Sequence, residues 1–335
     1  MASSPTVLVT GSAGHLGHAL MLSLPTQGYQ PIGIDILPSV HTAYVGSIAD
    51  SSFVASIFSH HPSLQHILHT ATLHKPHVES HSKSEFVDTN IQGTLNLLEL
   101  AVESGHIKSF IFTSTTSTFG AALAPKPGQP AAWIDESVVP IPKNIYGVTK
   151  CAAEDLCRLV HSQSKMPVLV LKTSRFFPEP DDSADAREMY DDDNLKILEL
   201  LYRRADIADV VSAHVCAIQQ AERIGWGKFI VSAPPPFVND ERTLQMLNGG
   251  QAGDVIRNFL PDEAEKLLEK GWKLPEDTDR VYDSSKAVRE LGWKPEYTFS
   301  RAVECVARGV EWRSELAVQV GKRGYHAKPT GVYTS

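Results

Sequence analysis

Tyr146 and Lys150 stand four residues apart in Tyr146-Gly147-Val148-Thr149-Lys150, and Thr113-Ser114-Thr115 lies roughly thirty residues earlier. At the start of a helix, that spacing projects both side chains from one face, about one turn apart. A cation beside a phenol stabilises the phenolate and lowers its pKa from a reference of about 10. A general base acting on a secondary alcohol requires such a group. The same pair also occurs on exposed helices that do no chemistry, so the assignment depends on whether the chain supplies a hydride carrier.

Thr6 to Thr10 (T-V-L-V-T) reads as a buried parallel strand. It runs into Gly11-Ser12-Ala13-Gly14-His15-Leu16-Gly17, followed by a helical stretch from about His18 to Leu24. Gly11 allows the tight turn, Gly14 lets the backbone approach a pyrophosphate, and Gly17 lets helix and strand pack closely. The helix N-terminus offers N–H groups and positive dipole to the phosphates. The alternative is a turn that merely joins strand to helix. A second strand, Pro31 to Ile36, carries Asp35 24 residues after Gly11, close to the spacing of about 20 for an acid that binds the adenosine ribose. A carboxylate there accepts from the 2′- and 3′-hydroxyls and repels a 2′-phosphate. NAD is therefore expected over NADP, unless Asp35 is only a solvated loop residue.

Further strands are expected at His66 to Thr70, Lys108 to Thr113, Pro167 to Leu171 and Lys228 to Ser232. Helices are expected at Ser51 to His60, Ser84 to Ser104 and around Tyr146. The long helix carries Val87, Ile91, Leu95, Leu98 and Val102 at helical spacing. This alternation implies an α/β fold, a doubly wound parallel sheet with helices on both faces. A Pro- and Ala-rich loop spans Ala121 to Ala132, and the chain from Asp240 onward is largely helical in pattern. The acidic run Asp181, Asp182, Asp185, Glu188 and Asp191 to Asp193 reads as solvated surface. No internal repeat is found.

The 335 residues, 42% hydrophobic and 21% charged, are those of an ordinary globular protein with one large or two medium domains. A net charge of −8 without a basic stripe argues against nucleic acid as a partner. Cys151, Cys157, Cys216 and Cys305 lack C-x-x-C spacing, so neither a disulfide framework nor a zinc site is indicated. His74, His77 and His81, with His60, His61, His66 and His69 before them, suggest a metal at first sight. Pro76 interrupts the segment and no carboxylate or Cys stands at ligand spacing, so no metal is expected. No basic-then-apolar leader and no run long enough to span a bilayer are present, so a cytoplasmic protein without membrane contact is expected.

Together these pieces resemble the extended short-chain dehydrogenase/reductases, the NAD-dependent epimerase/dehydratase family, over most of the chain. Thr10 to Gly17 matches T-G-x-x-G-x-x-G, and Asp35 matches the ribose acid. Gly46 to Asp50, with Ser47 where Asp is usual and Ile48 after it, resembles G-D-I-x-D beside the adenine. His69-Thr70-Ala71, leading to Thr72, resembles the H-x-A turn, and Asn90 to Thr94 the N-x-x-G-T motif. Phe112 to Gly120 resembles S-S-S-x-x-x-Y-G and puts Thr115 at the catalytic Ser/Thr. Val281 to Ala287 with Leu291-Gly292-Trp293 resembles the C-terminal signature.

The resemblance implies a Rossmann-like NAD-binding domain, residues 1–173 with 205–232 returning to it. A smaller, mostly helical substrate-binding domain would comprise 174–204 and 233–335. It implies a cofactor site of Gly11, Ala13, Gly14, His15, Leu16, Gly17, Asp35, Ser47, Ile48, Thr70, Ala71, Thr72, Asn90, Thr113, Tyr146 and Lys150. In the implied mechanism Tyr146 moves the hydroxyl proton, Lys150 holds the nicotinamide ribose, and Thr115 aligns the substrate oxygen. A homodimer through the two long helices is also implied. Expected substrate contacts are His74, Thr115, Thr116, Ser174, Arg175 and Phe176. Nucleotide-sugar epimerases carry an Asn in the R-x-x-N segment after the fifth strand, and Arg175 lies in that segment here. Arg175 either pairs with a carboxylate or phosphate of the substrate or with nearby acids. The expected activity is hydride transfer at a secondary alcohol or ketone carbon of a sugar-like or other polar small molecule. The alternatives are a net NAD(P)-dependent dehydrogenase or ketoreductase of a non-sugar metabolite and a non-catalytic dinucleotide-sensing regulator.

Overall fold

Alternation within the apolar strands sets the architecture. In β1 (Val7–Thr10), Val7 and Val9 enter one core with Leu16 and Leu20, and Leu8 enters another with Ile34 and Leu98. A strand buried on both faces needs helices on both, as in a parallel sheet. The computed structural model describes residues 6–126, 128–181 and 183–323. The other strands are β2 (Pro31–Asp35), β3 (Tyr44–Val45), β4 (His66–His69), β5 (Ser109–Thr115), β6 (Ala132–Ile134), β7 (Val168–Thr173), β8 (Trp226–Val231) and β9 (Arg280–Tyr282). Seven form one sheet in the order β3-β2-β1-β4-β5-β7-β8, every pair parallel. Helices α1 (His15–Ser23), α2 (Ser51–His60), α3 (Lys83–Val87), α4 (Gly93–Ser104), α5 (Ile145–Ser164), α6 (Ala184–Met189), α7 (Asp192–Glu199) and α8 (Ile207–Ile224) follow in chain order. Core side chains of α1 and α8 cover one face, and those of α2, α4 and α5 the other. Strand order reverses between β1 and β4, which opens a crevice at their carboxyl ends.

A separate core gathers Ile197, Leu198, Val255, Ile256, Leu267 and Phe299. These come from α7 and from the C-terminal helices, which include α9 (Glu241–Leu247), α10 (Ala252–Phe259), α11 (Pro261–Glu269), α12 (Ser285–Leu291), α13 (Phe299–Ala307) and α14 (Glu315–Val320). Strands β6 and β9 form a small parallel pair beside this region.

Several local readings change. Helix α1 begins at His15 rather than near His18, directly on the glycine turn. The expected Ser84–Ser104 helix is broken into α3, a π-helical turn Asp88–Gln92, and α4. The extra residue of a π turn shifts the helical phase. The buried face is accordingly Phe86, Asn90, Thr94, Leu97, Leu98 and Ala101, while Val87 and Val102 from the predicted stripe are exposed. Strands β3, β6 and β9 were not expected. In the acidic run, Asp185, Glu188 and Asp191 to Asp193 are exposed, but Asp181 is buried, and Asp182 lies outside the described residues. No described helix is long and apolar enough to cross a membrane.

Candidate active site

The crevice is a cleft of about 580 Å³ whose walls include Gly11, Asp35, Thr70, Thr115, Tyr146 and Arg175. Its floor begins at the glycine turn. Gly11 has φ of +74°, and a Cβ there would lie 2.8 Å from the Ala71 nitrogen. A Cβ on Gly17 would lie 1.9 Å from the Gly11 carbonyl oxygen. Gly14, extended at φ −72° and ψ 170°, precedes α1 and gives it no side-chain cap. The first amides of α1 therefore remain available to an anion. Asp35 ends β2, and its carboxylate accepts from Ala13 N and Leu37 N, both at 2.9 Å. Burial raises its pKa. Gly14, His15, Leu16, Gly17, Ser47, Ile48, Ala71 and Thr72 also face the cleft.

Ala13 and Asn90 do not line the cleft. Ala13 contributes through its backbone bond to Asp35. Asn90 is buried behind the wall, where Oδ1 accepts from Leu73 N at 2.8 Å and Nδ2 donates to Thr149 Oγ1 at 3.0 Å. It joins the π turn, the loop after β4 and α5.

Thr115 ends β5, and Asn144 caps α5 by accepting from Gly147 N at 3.0 Å, which sets Tyr146 in the first helical turn. The Tyr146 and Thr115 side chains line the same cleft. Burial pushes the phenol up to about 12, and the Thr115 side chain works the other way. The lowered phenol pKa expected from Lys150 is thus reversed here, because loss of solvent outweighs the nearby groups. Lys150 is also buried and does not itself line the cleft. Its ammonium donates to the Thr113 carbonyl at 2.7 Å and sits 3.9 Å from the centroid of Phe112. Burial pushes it down to about 7, against the pull of Glu154. Thr113 itself faces the cleft, with its hydroxyl 2.8 Å from His214 Nε2.

One turn beyond Lys150, Glu154 holds the back of the site. Its Oε1 accepts from Ser114 Oγ at 2.5 Å and Lys172 Nζ at 2.6 Å, and its Oε2 from Lys228 Nζ at 2.7 Å. Sequence reasoning missed this group. Its signal was Lys172 within the apolar strand Val168-Leu169-Val170-Leu171-Lys172-Thr173, since a lysine buried there needs a counter-charge.

His74, Thr116, Ser174, Arg175 and Phe176 also line the cleft, joined by Arg203 and Arg280, which sequence reasoning did not name. Arg175 pairs with Asp181 and lies 3.4 Å from Glu199, so the internal pairing is observed while the residue still borders the cleft. Glu199 also takes Arg203 and Arg204, each at 2.8 Å. Burial alone would raise the Glu199 carboxyl, but the arginines hold it down at about 2. The histidines go to separate duties. His69 lies between Thr10 and Thr94, and His66 meets Ser109. The rings of His74, His77 and His81 stack edge to face at 4.6 and 5.0 Å. Among the described residues no group of His, Cys, Asp or Glu is arranged to hold a metal ion.

Residues 7–231 match the family model described as the NAD dependent epimerase/dehydratase family. The UDP-glucose 4-epimerase of Rhizobium meliloti (strain 1021) is 25% identical over 340 residues, spanning 89% of this chain and 94% of that protein. Among solved structures, a short-chain dehydrogenase/reductase superfamily protein from Agrobacterium tumefaciens with bound NAD superposes with a TM-score of 0.63 at 20% identity, covering 90% of this chain and 96% of the other. The UDP-glucose 4-epimerase of Thermotoga maritima gives a TM-score of 0.60 at 22% identity, covering 90% and 97%.

Proposed function

The chain belongs to the NAD dependent epimerase/dehydratase family and is an NAD-dependent enzyme; from that premise we propose that it oxidises or reduces a secondary alcohol or ketone carbon of a small sugar-like substrate carrying an anionic group. The observation that carries this reading is that Tyr146 and Thr115 line the same cleft as the glycine turn. Gly11 and Gly17 leave no room for a side chain, α1 is uncapped, and Asp35 ends the neighbouring strand. This donor set fits a dinucleotide whose diphosphate meets the helix N-terminus and whose ribose hydroxyls meet Asp35. When bound, NAD supplies the hydride acceptor or donor. Thr115 orients the substrate oxygen, and Tyr146 takes or gives that oxygen's proton. Lys150 ties α5 to β5 through Thr113 and, when protonated, would supply positive charge behind the cleft wall that holds Thr113. Residues 1–173 and 205–232 serve the cofactor, and 174–204 with 233–335 the substrate.

Arg175, Arg203 and Arg280 favour an anionic substrate group, a carboxylate or phosphate. The R-x-x-N segment reads Arg175-Phe176-Phe177-Pro178 here, with Pro178 where nucleotide-sugar epimerases carry Asn. That favours, as a second reading, a net dehydrogenase acting on a smaller polar acid. We further read the protein as cytoplasmic and homodimeric, with exposed Val102 on α4 and Val148 and Leu159 on α5 as the docking face. Denaturing the purified protein and measuring released NAD separates the two reactions. Stoichiometric NAD without net reduction is expected of an epimerase, whereas accumulation of NADH with sugar acids identifies the dehydrogenase. Tyr146→Phe is expected to lower turnover by about 10²–10⁴-fold. Unchanged turnover would overturn the catalytic assignment.

A further inference from the structure

Glu179 lies in the loop after β7, and its side chain is 1% exposed. Among the described residues neither carboxylate oxygen has a hydrogen-bond partner. The charge complement beside it is His15 Nε2 at 3.1 Å, on a side chain that is also 1% exposed. His15 is the first residue of α1, and both side chains border the cleft with Gly11 and Gly14. The substrate-side loop thus brings a buried carboxylate against the helix end offered to the cofactor's phosphates.

We propose that His15 and Glu179 form a proton-linked pair at the dinucleotide-phosphate subsite, so that NAD binding there is accompanied by uptake of a proton onto the pair. This rests on the cofactor reading given above. A buried carboxylate without hydrogen bonds is costly, and a proton or a neighbouring cation offsets that cost. The surrounding cations are engaged elsewhere. Arg175 pairs with Asp181 and Glu199, Lys196 with Asp192 at 2.5 Å, and Arg204 with Glu199 at 2.8 Å. Asp206, facing the same side of His15, accepts from Ser314 Oγ at 2.5 Å, and Arg313 pairs with Glu311 at 2.8 Å. Along α1, His18 faces His41 at 4.5 Å between ring centroids and Arg323 Nη2 at 2.9 Å. On the cleft side, His74 lies behind the Phe177 ring, 5.6 Å between centroids, and that ring packs against His15 at 5.3 Å. The carboxylate is left to His15. Phosphate charge arriving at the N-terminus of α1 adds a second negative charge beside the buried carboxylate, and a proton on the pair offsets it. The proton comes from solvent and stays on the pair.

The test is calorimetric titration of NAD into the full chain, freed of copurified nucleotide, in buffers of different ionisation enthalpy. Proton uptake is read from the dependence of heat on buffer. Wild type is expected to take up a fraction of a proton, up to about one, more than Glu179→Gln does, and its affinity for NAD should weaken by up to about tenfold per unit rise in pH. Because Glu179→Gln leaves Lys150 untouched, the difference removes any contribution from that lysine. His15→Asn, checked with Glu179→Gln for retained circular dichroism and melting, should lose the same uptake. NAD binding with equal proton exchange in wild type and both variants would overturn the proposal alone. Failure of wild type to bind NAD at any pH would overturn the cofactor reading and the proposal with it.

Discussion

Replacing Glu154 with Gln tests whether the charged cluster behind the active site holds the fold together. The carboxylate is 1% exposed and accepts from Lys172 and Lys228 at 2.6 and 2.7 Å. Glutamine keeps the volume but turns one oxygen into an N–H₂ donor facing an ammonium. Lys172, 2% exposed, has no water to turn to, whereas Lys228, 27% exposed, does. The expected loss is that of one buried pair broken from one side, about 3–5 kcal/mol. At about 2 °C per kcal/mol for a chain of this length, Tm should fall by about 6–10 °C. Urea unfolding with calorimetry measures both. Glu154→Gln/Lys172→Met, which removes the stranded charge, should recover most of the loss. Burial pushes the Glu154 carboxyl up, but the two lysines outweigh it and hold the pKa below the ordinary 4.5. A depressed carboxylate stabilises above its unfolded pKa and loses that contribution as pH falls through its folded pKa. The gap between wild type and variant should therefore close in acid below 4.5. A variant within about 0.5 kcal/mol of wild type at neutral pH would refute the reasoning, given the typical range for benign substitutions. So would a double variant no more stable than the single one.

Gly17→Ala should abolish NAD binding and cost about 1–3 kcal/mol, because its Cβ would lie 1.9 Å from the Gly11 oxygen; a melting curve and an NAD titration together report it. Asp35→Ala should weaken NAD binding by about 1.5–3 kcal/mol and narrow its preference over NADP, and a wild type that prefers NADP would sink the role given to Asp35. Burial pushes Asp209 up to about 6, although it accepts from Glu296 N and Tyr297 N. The native state therefore binds the extra proton, and stability should fall as pH rises from 3.8 towards about 6. Asp209→Asn should flatten that part of the pH–stability curve, and an unchanged slope would count against the assignment.

The main strands were readable because each is a short, nearly continuous apolar run, and the glycine turn because its spacing carries its own mechanism. What stayed hidden depends on partners far along the chain. Ala132–Ile134 sits in a Pro- and Ala-rich loop and becomes a strand only by pairing with Arg280–Tyr282. The π turn was invisible because it is held by Asn90 reaching Leu73 and Thr149. Tyr146, Lys150 and Thr115 were legible as types and spacing, but the direction of the Tyr146 pKa was not, since burial cannot be read from neighbours in sequence. Asp181 looked like one acid in a solvated run, and only the folded loop places it on Arg175.

The small β6–β9 pair also bears on the order in which the molecule can assemble. Trp133 Nε1 donates to the Asp283 carboxylate 150 residues further on, at 3.1 Å. During synthesis from the N-terminus, β1 and β2 can pair early, but Ala132–Ile134 waits until Arg280–Tyr282 has left the ribosome. Until then the loop between β5 and α5, which flanks Thr115 and Tyr146, has its local Gly120–Ile141 bridge but lacks the partner strand of Ala132–Ile134. The loop beside the catalytic edge of the sheet is thus finished by a strand from the C-terminal helical region.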